Sequence, residues 1–383
     1  MLLLLDNPFL RLIVDLLNYF VLISIFFYIY KKKIISHREL MIYSVFCATP
    51  FFVNEGLISY TTFWDQQRYV KLSDEVRQAW ISGSLLVESN EKLKMIVSSY
   101  VVAMFPIVSF SSINSVAFAN KGFYCLTLIY LNRKNKMNGL LFFILLFTPT
   151  ILLYSSVSLR DTFILSLMLM SVFLFLSEKK YITGLFVLII LFIIKPQNGL
   201  ICFASISMYL IFNNLLKKNV YLFLVLIIFS FSFIFIFFDN TFFEKLNFYR
   251  QGFYVEQYGA YKDITSLEYY EKNLTLGFNN YSLKVLLLSL VNFFLAPLFS
   301  IENSLHFISS VESLLFVVYL FIFFYYNLQK NSEITFFWLV LFIISCGIYS
   351  LIAFNDNTVV RYRFPIYSFF LYSCFFTVKF KSR

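Results

Sequence analysis

The chain has 383 residues, of which 60% are hydrophobic and 14% are charged, and its formal net charge is +10. A single soluble core saturates well below this apolar content, so the composition excludes an ordinary soluble protein and indicates a bilayer as the solvent. The positive charges stand in short clusters between apolar runs, which favours membrane loops and excludes a nucleic-acid-binding surface.

Apolar runs suited to crossing a bilayer begin near the N-terminus, which we place outside. A spanning helix needs about 20 apolar residues, and the first two spans are predicted at 10–30 and 40–53. A secretory signal peptide does not account for them, because similar runs recur along the whole chain. Five basic clusters fit cytoplasmic loops under the positive-inside rule, namely Lys31–Lys33, Arg133–Lys136, Lys179–Lys180, Lys217–Lys218 and Lys379–Arg383.

The first predicted extracytoplasmic segment covers residues 54–94. Within it, Trp64 to Trp80 is predicted to form an amphipathic helix on the membrane surface. Apolar side chains recur there at helical spacing, at Tyr69, Leu72, Val76, Ala79 and Trp80. Residues 95–131 are too long for one span, so we expect an interfacial or re-entrant first part and a crossing at 113–131.

The remaining elements complete about 11 crossings with the C-terminus inside. The segment from Leu283 to Phe299 is not counted as a crossing, because counting it would reverse the positions of the later basic clusters. A second extracytoplasmic loop is predicted at 239–282. The sequence therefore predicts an all-α polytopic membrane protein, one integral domain over 1–383, with its later spans at 138–156, 161–176, 181–195, 199–216, 220–238, 307–327, 334–354 and 365–379.

The motif from Arg361 to Pro365, which reads Arg-Tyr-Arg-Phe-Pro, carries the strongest predicted binding site. Proline disfavours helical geometry at the preceding residue, so we expect an extended approach to the last span. Alternation along an extended chain would put Arg361 and Arg363 on one face, flanking Tyr362, where two guanidinium groups match the oxygens of a diphosphate. The alternative is that both arginines reach lipid headgroups at the interface.

Arg160 and Asp161 stand at a tight turn between two predicted spans. Asp161 is expected either to act in catalysis or to cap the following helix, whereas Arg160 at membrane depth needs an anion or a carboxylate as its partner. Lys195 ends the next span before Pro196, and the amide of Gln197 is suited to sugar hydroxyls. A lysine at a helix C-terminus is also favourable without any ligand.

Three further outside positions have open assignments. Asp65, Arg68 and Tyr69 stand at helical spacing, so Asp65 and Arg68 form an intrahelical ion pair or Asp65 serves as a general base. His306 is the alternative base. Arg250, in the predicted loop, is expected to hold glycan together with nearby tyrosines, unless these residues form an aromatic belt.

These residues resemble the Wzy O-antigen polymerases and the EpsG polymerases, which use polyprenyl-linked donors. The matching features are Asp65 with Tyr69, the Arg160–Asp161 pair, Lys195, and the motif from Arg361 to Pro365. Lys195 departs from the arginine that members of the group often carry. The resemblance implies a glycosyltransferase-C-like fold that polymerises undecaprenyl-diphosphate-linked oligosaccharide repeat units outside the bacterial inner membrane, for O-antigen, capsule or exopolysaccharide.

In that scheme Arg160, Arg361 and Arg363 stabilise the leaving diphosphate, and Asp65 or His306 deprotonates the acceptor. The five cysteines lack metal-ligand spacing, so we predict neither a metal nor a cofactor. The expected partners are the lipid-linked oligosaccharide, the bilayer and a chain-length regulator. A glycan ligase or a polyprenyl-phosphate-sugar transferase is the alternative enzyme, and a flippase for the same lipid is the alternative without catalysis.

Overall fold

The chain folds into helices that form two compact units, Met1–Leu200 (unit 1) and Ile201–Arg383 (unit 2). The computed structural model describes residues 7–54, 56–57, 64–84, 93–103, 112–135, 139–157, 159–215, 240–258, 275, 281–296, 304–330, 332–352 and 359–369. Over this part of the chain the predicted all-α class is confirmed.

Unit 1 is built from ten described helices and the start of an eleventh. In chain order they are α1 Pro8–Lys31, α2 His37–Ala48, α3 Pro50–Val53, α4 Trp64–Ile81, α5 Leu93–Ala103, α6 Ile113–Asn135, α7 Gly139–Phe147, α8 Pro149–Ser156, α9 Asp161–Leu176, α10 Tyr181–Ile194 and α11 Pro196–Leu215. Helix α11 runs on past the boundary at Leu200 into unit 2.

Unit 2 continues after residues that the structure does not describe. Its later helices are α12 Asn240–Tyr258, α13 Tyr281–Leu295, α14 Ser304–Lys330, α15 Ser332–Ile352 and α16 over residues 359–369. Helix α13 packs on α14 and α15, and α15 also contacts α12.

Helix α1 turns polar side chains toward the protein and large apolar side chains outward. Asn7 caps it, with Oδ1 accepting the Phe9 N–H at 3.0 Å, and Pro8 occupies the first turn, where no N–H is needed. The stripe that faces the protein is polar over its first part and apolar over the rest. It consists of Asp15, Asn18, Leu22 and Phe26, whereas large apolar side chains cover the outward face, with Phe9 67% exposed.

Helix α6 is the centre of unit 1. It contacts α1, α2, α4, α5, α8 and α9, and residues 115–122 are all buried. Helices α9 and α10 form an antiparallel hairpin, joined at residues 177–180. The hairpin packs on α6 through α9, so the α8–α9 turn at one end of α9 belongs to the core of the unit.

Three basic clusters gather at one end of unit 1, which we call the basic end: Lys31–Lys33, Arg133–Lys134 and Lys179–Lys180. Asn132 Nδ2 donates to Glu39 Oε1 at 2.7 Å, which joins the α6 C-terminus to the start of α2. Glu178 lies 3.5 Å from Lys134 Nζ and 3.3 Å from Lys180 Nζ. The α9–α10 turn therefore lies beside the C-terminal end of α6.

One helix among the described residues, α1, is both long enough and apolar enough to cross a bilayer by itself. Helices α8 and α9 would form a second span if the pair, bent by 114°, counted as one broken crossing. Helix α10 and segments of α14 and α15 are apolar but shorter. The prediction of about 11 crossings stays a prediction.

Several predicted elements agree with the structure, and two differ. The helix predicted over 64–80 is observed as α4, and the elements predicted at 161–176 and 181–195 are observed as α9 and α10. The element predicted at 138–156 breaks at Thr148, before Pro149, because proline cannot donate the helical hydrogen bond.

Within the predicted extracytoplasmic loop over 239–282, residues 240–258 form the helix α12, and the position of this loop outside the membrane stays a prediction. The expected extended geometry before Pro365 is wrong, because residues 359–369 are helical. The predicted span at 220–238 lies outside the described residues.

Candidate functional site

Arg160 and Asp161 lie at the end of unit 1 opposite the basic end. Arg160 occupies the N-cap position of α9 and Asp161 the first helical position, without a side-chain cap. Capping by Asp161 is therefore not observed. Arg160 Nη1 donates to the Ile194 carbonyl at 3.1 Å, and both side chains are buried, with Arg160 8% exposed. The C-terminal carbonyl of α10 is thus one partner of the Arg160 guanidinium group.

Lys195 follows directly in the break between α10 and α11. Its N–H donates to Leu191 O at 2.8 Å, and the helix ends before Pro196, as predicted. Pro196 opens the next helix, three residues before the predicted start of that element. Lys195 and Gln197 are half-buried. Asn198 Nδ2 instead contacts Met168 Sδ at 3.0 Å inside the unit. Two cationic side chains and a carboxylate therefore converge from two parts of the chain at this end of the hairpin, together with the positive N-terminus of α9.

Helix α4 turns Tyr69 inward, since only 3% of this side chain is exposed, whereas Arg68 is exposed and Asp65 is half-buried. The predicted apolar face is covered by protein, because α4 packs on α5 and α6. Leu72 and Val76 are buried there, while Trp80 is half-buried. Tyr69 therefore contributes to packing, and Asp65 and Arg68 keep access to solvent.

Arg77 is a buried residue of α4 that the sequence did not single out. Its Nε donates to Ala103 O at 3.2 Å, at the last residue of α5. Burial lowers the pKa of Arg77 to about 10, and this effect outweighs the nearby charge of Asp74, which raises the pKa. Arg77 therefore remains protonated at neutral pH.

In unit 2, Arg363 is buried, with 2% of its side chain exposed. Its Nη1 donates to Phe293 O at 3.1 Å and to Phe294 O at 2.9 Å, in the last turn of α13. The guanidinium carbon also lies 4.9 Å from the centre of the Tyr367 ring. These contacts give Arg363 a role in joining α16 to α13.

Arg361 and Tyr362 occupy different positions on the same helix. Both are half-buried, and the Tyr362 ring lies 5.1 Å from the Tyr349 ring. Each residue of an α-helix turns by about 100°, so Arg361 and Arg363 differ by about 200°. The predicted common face for the two arginines is therefore wrong.

Arg250 is fully buried on α12, not exposed in a loop. Its Nη2 donates to Ser289 Oγ of α13 at 3.2 Å. Ser289 and Phe293 are one turn apart, so Arg250 and Arg363 contact the same face of α13. His306 lies in the first turn of α14, and its side chain is outside the described residues.

A buried polar set in unit 1 was also missed by the sequence reasoning. Asp15 accepts hydrogen bonds from Ser112 Oγ and, at 2.8 Å, from Asn114 Nδ2. Lys121 is fully buried, and its Nζ lies 2.8 Å from Ser155 Oγ and 3.6 Å from the centre of the Phe46 ring. The available signal was a carboxylate and an ammonium group within apolar runs predicted to be spans.

Three of the four arginines that are buried in the described part of the chain share one kind of contact. Arg77, Arg160 and Arg363 each donate to a carbonyl in the last turn of a helix. Those helices, α5, α10 and α13, each end two or three residues before a proline. The terminal carbonyls lack intrahelical donors and carry the negative end of the helix dipole, which suits a guanidinium group.

Comparisons of this chain with protein-family models, with curated proteins and with solved structures find no match.

Proposed function

We propose that this protein polymerises undecaprenyl-diphosphate-linked oligosaccharide repeat units on the extracytoplasmic face of a bacterial inner membrane. The observation that carries the proposal is the convergence of Arg160, Asp161 and Lys195 at one end of the α9–α10 hairpin. A guanidinium group, an ammonium group and a helix N-terminus at one place favour a phosphate-bearing ligand. The proposal extends to about 11 crossings and a glycosyltransferase-C-like fold.

The location follows from the two ends of unit 1. The basic end, with Lys134, Glu178 and Lys180 in contact, fits the cytoplasm under the positive-inside rule. The Arg160 end then faces outward. A bilayer as solvent accounts for the apolar outer faces, where Ile182 on α10 is 88% exposed and Phe321 on α14 is 73% exposed.

The chemistry is a transfer between two lipid-linked glycans. The acceptor hydroxyl oxygen bonds to the anomeric carbon of the growing chain, and the bond from that carbon to the diphosphate oxygen breaks. Arg160 and Lys195 stabilise the negative charge on the departing diphosphate. Asp65 of α4 takes the proton of the hydroxyl. The roles of His306 and Arg361, which belong to unit 2, stay predictions from the sequence.

A flippase for the same lipid is favoured by a different observation. Asp15 and Lys121 lie about 10–12 Å along α1 and α6 from the first residues of these helices, and both are buried among helices. Charges at such depth are frequent in transport pathways. Polar groups of unit 1 therefore do not all lie at its Arg160 end, so the test of function must separate the two activities.

Deletion of the gene, followed by gel analysis of the surface polysaccharide, separates them. Loss of a polymerase leaves a single repeat unit on the final carrier, and we expect this result. Absence of any repeat unit on that carrier would contradict the proposal and indicate a flippase or a ligase. Complementation with the Arg160→Ala variant is expected to leave the single-unit pattern unchanged, whereas the wild-type gene restores long chains.

A further inference from the structure

The α8–α9 turn, which carries Arg160, is fixed from several sides by buried polar side chains. Asn120 of α6 is fully buried, and its Nδ2 donates to Leu159 O and, at 3.3 Å, to Val157 O. One amide thus holds the two carbonyls on either side of residue 158. Backbone between two helices has no ladder of its own, so these side-chain bonds determine its path.

Two residues from the α2–α3 region hold the preceding part of the turn. Asn54 Nδ2 donates to Ser156 O at 2.8 Å, and Thr49 Oγ1 lies 2.8 Å from Ser156 Oγ. Asn54 also donates to Asn114 Oδ1 at 2.9 Å, and Asn114 donates to the carboxylate of Asp15. A continuous set of hydrogen bonds therefore leads from α1 through α6 to the turn.

The two amide side chains that hold this turn each bury a carbonyl oxygen, which lowers the stability of the fold. The Asn54 Oδ1 and Asn120 Oδ1 atoms are buried without a hydrogen-bond partner among the described residues. Each such atom costs about 1–3 kcal/mol. A leucine at either position would avoid that cost but would release the Ser156, Val157 and Leu159 carbonyls, so the amides serve the geometry of the turn.

We propose that Asn120 is a positioning residue that sets the diphosphate-binding geometry of Arg160 by holding the carbonyls of Val157 and Leu159. This inference rests on the proposed function of Arg160. The turn fixes the Cα end of Arg160, and the Ile194 carbonyl fixes its guanidinium end beside Lys195. A shift of the turn moves the guanidinium group away from Lys195 and lowers the affinity of these two residues for a diphosphate.

The test is a double-mutant cycle on the purified full-length chain in lipid nanodiscs. The probe is undecaprenyl diphosphate, and undecaprenyl monophosphate is the comparison ligand. We expect Arg160→Ala and Asn120→Ala each to weaken diphosphate binding about tenfold, which corresponds to about 1.4 kcal/mol. The double variant is expected to bind as weakly as Arg160→Ala alone, because Asn120 acts only through Arg160.

Asn18→Ala is the matched control. Asn18 is another fully buried amide of unit 1, with no hydrogen-bond partner for either polar atom among the described residues. Its truncation is expected to leave diphosphate binding within about twofold of wild type. If Asn120→Ala does not fold, Thr49→Val removes one hydroxyl contact to the turn at nearly constant volume, and the same cycle is measured with an expected loss of about threefold.

The outcomes separate the inference from the function beneath it. Undiminished binding by Arg160→Ala overturns the diphosphate assignment of Arg160 and the positioning role with it. Weakened binding by Arg160→Ala, combined with normal binding by the Asn120 variant, overturns the positioning role alone. An additive loss in the double variant does the same, because a general structural role of Asn120 would add to the loss of Arg160.

Discussion

At the scale of single residues, buried guanidinium groups join helices by meeting terminal carbonyls. Arg363 does this most completely, with two carbonyl acceptors on α13 and an aromatic ring beneath it. A buried charge is stable only when its donors are satisfied. The planar fork reaches two adjacent carbonyls at once, which a lysine ammonium does not reproduce in the same geometry.

Replacing Arg363 by alanine is therefore expected to destabilise the fold. The change leaves Phe293 O and Phe294 O without this donor and opens a cavity under Tyr367, so we expect a loss of about 3 kcal/mol in the free energy of unfolding. Thermal or denaturant unfolding in detergent measures it. Arg363→Lys should recover less than half of the loss, because only one of the paired bonds can form.

Arg361→Ala is the matched comparison on the same helix. Arg361 is half-buried, so its truncation is expected to lower the free energy of unfolding by less than Arg363→Ala does, while polymer formation falls. Equal destabilisation by the two variants would contradict the stabilising role of the Arg363 contacts with α13 and Tyr367.

Sequence reasoning at this scale identified residue types better than their surroundings. Arg160 and Lys195 were selected because each stands at the end of an apolar run, and the α9–α10 hairpin brings Arg160 to the carbonyl of Ile194, the residue before Lys195. The burial of Arg250 and Arg363 was not predictable. It depends on contacts with α13, which lies tens of residues away along the chain, and on a helical Pro365 segment where local rules favour extended backbone.

At the scale of helices, the ends of the α9–α10 hairpin are stabilised differently. At the basic end, burial raises the pKa of Glu178, but the hydrogen bond and charge of Lys180 and the charge of Lys134 outweigh it, so the pKa is lowered. A lowered carboxylate pKa contributes stability above the unfolded pKa of about 4.3, and that contribution is lost as the pH falls through the folded value.

Glu178→Gln is therefore expected to lower stability at neutral pH and to have no effect at a pH below both values. The exposed partners limit the difference at neutral pH to about 0.5 kcal/mol. Melting curves of the wild type and the variant across this pH range measure it, with Glu75→Gln as the control, since Glu75 pairs only with an exposed lysine within α4. A constant difference at all pH values would contradict an ionic role.

The other end of the hairpin depends on a close approach by glycine. A Cβ atom on Gly199 would lie 2.9 Å from the Phe192 Cα, whereas one on Gly184 would meet only the ring of Phe175, at 2.8 Å. The Phe192 backbone cannot shift as readily as the Phe175 side chain can rotate. Gly199→Ala is expected to cost about 1–3 kcal/mol and to displace Lys195, whose carbonyl accepts the Gly199 N–H at 3.1 Å.

Gly184→Ala is expected to cost less than Gly199→Ala when both are unfolded under the same conditions. A reversed order would contradict the packing of α11 on α10. The hairpin itself was predictable, because two apolar runs are separated by Ser177–Lys180. The close packing after Pro196 was not, because no local pattern reports which side chain faces a glycine.

At the scale of the whole molecule, polymerisation and transport of a lipid-linked glycan are the two proposed activities to be separated. The apolar outer faces of the helices could be predicted from the sequence, since they follow from hydropathy alone. The turn between α8 and α9 was predicted as well, from the break between two apolar runs, whereas the polar set around Asp15 was not, because it arises from packing around α6. That polar set makes transport the main competitor of polymerisation.

Reconstitution tests the central claim most directly. The purified chain is placed in liposomes with the lipid-linked repeat unit isolated from the deletion strain, without nucleotide sugars. We predict products longer than one repeat unit and one undecaprenyl diphosphate released for each linkage formed, both lost in the Arg160→Ala variant. Transbilayer movement of the lipid-linked unit without any elongation would contradict the account.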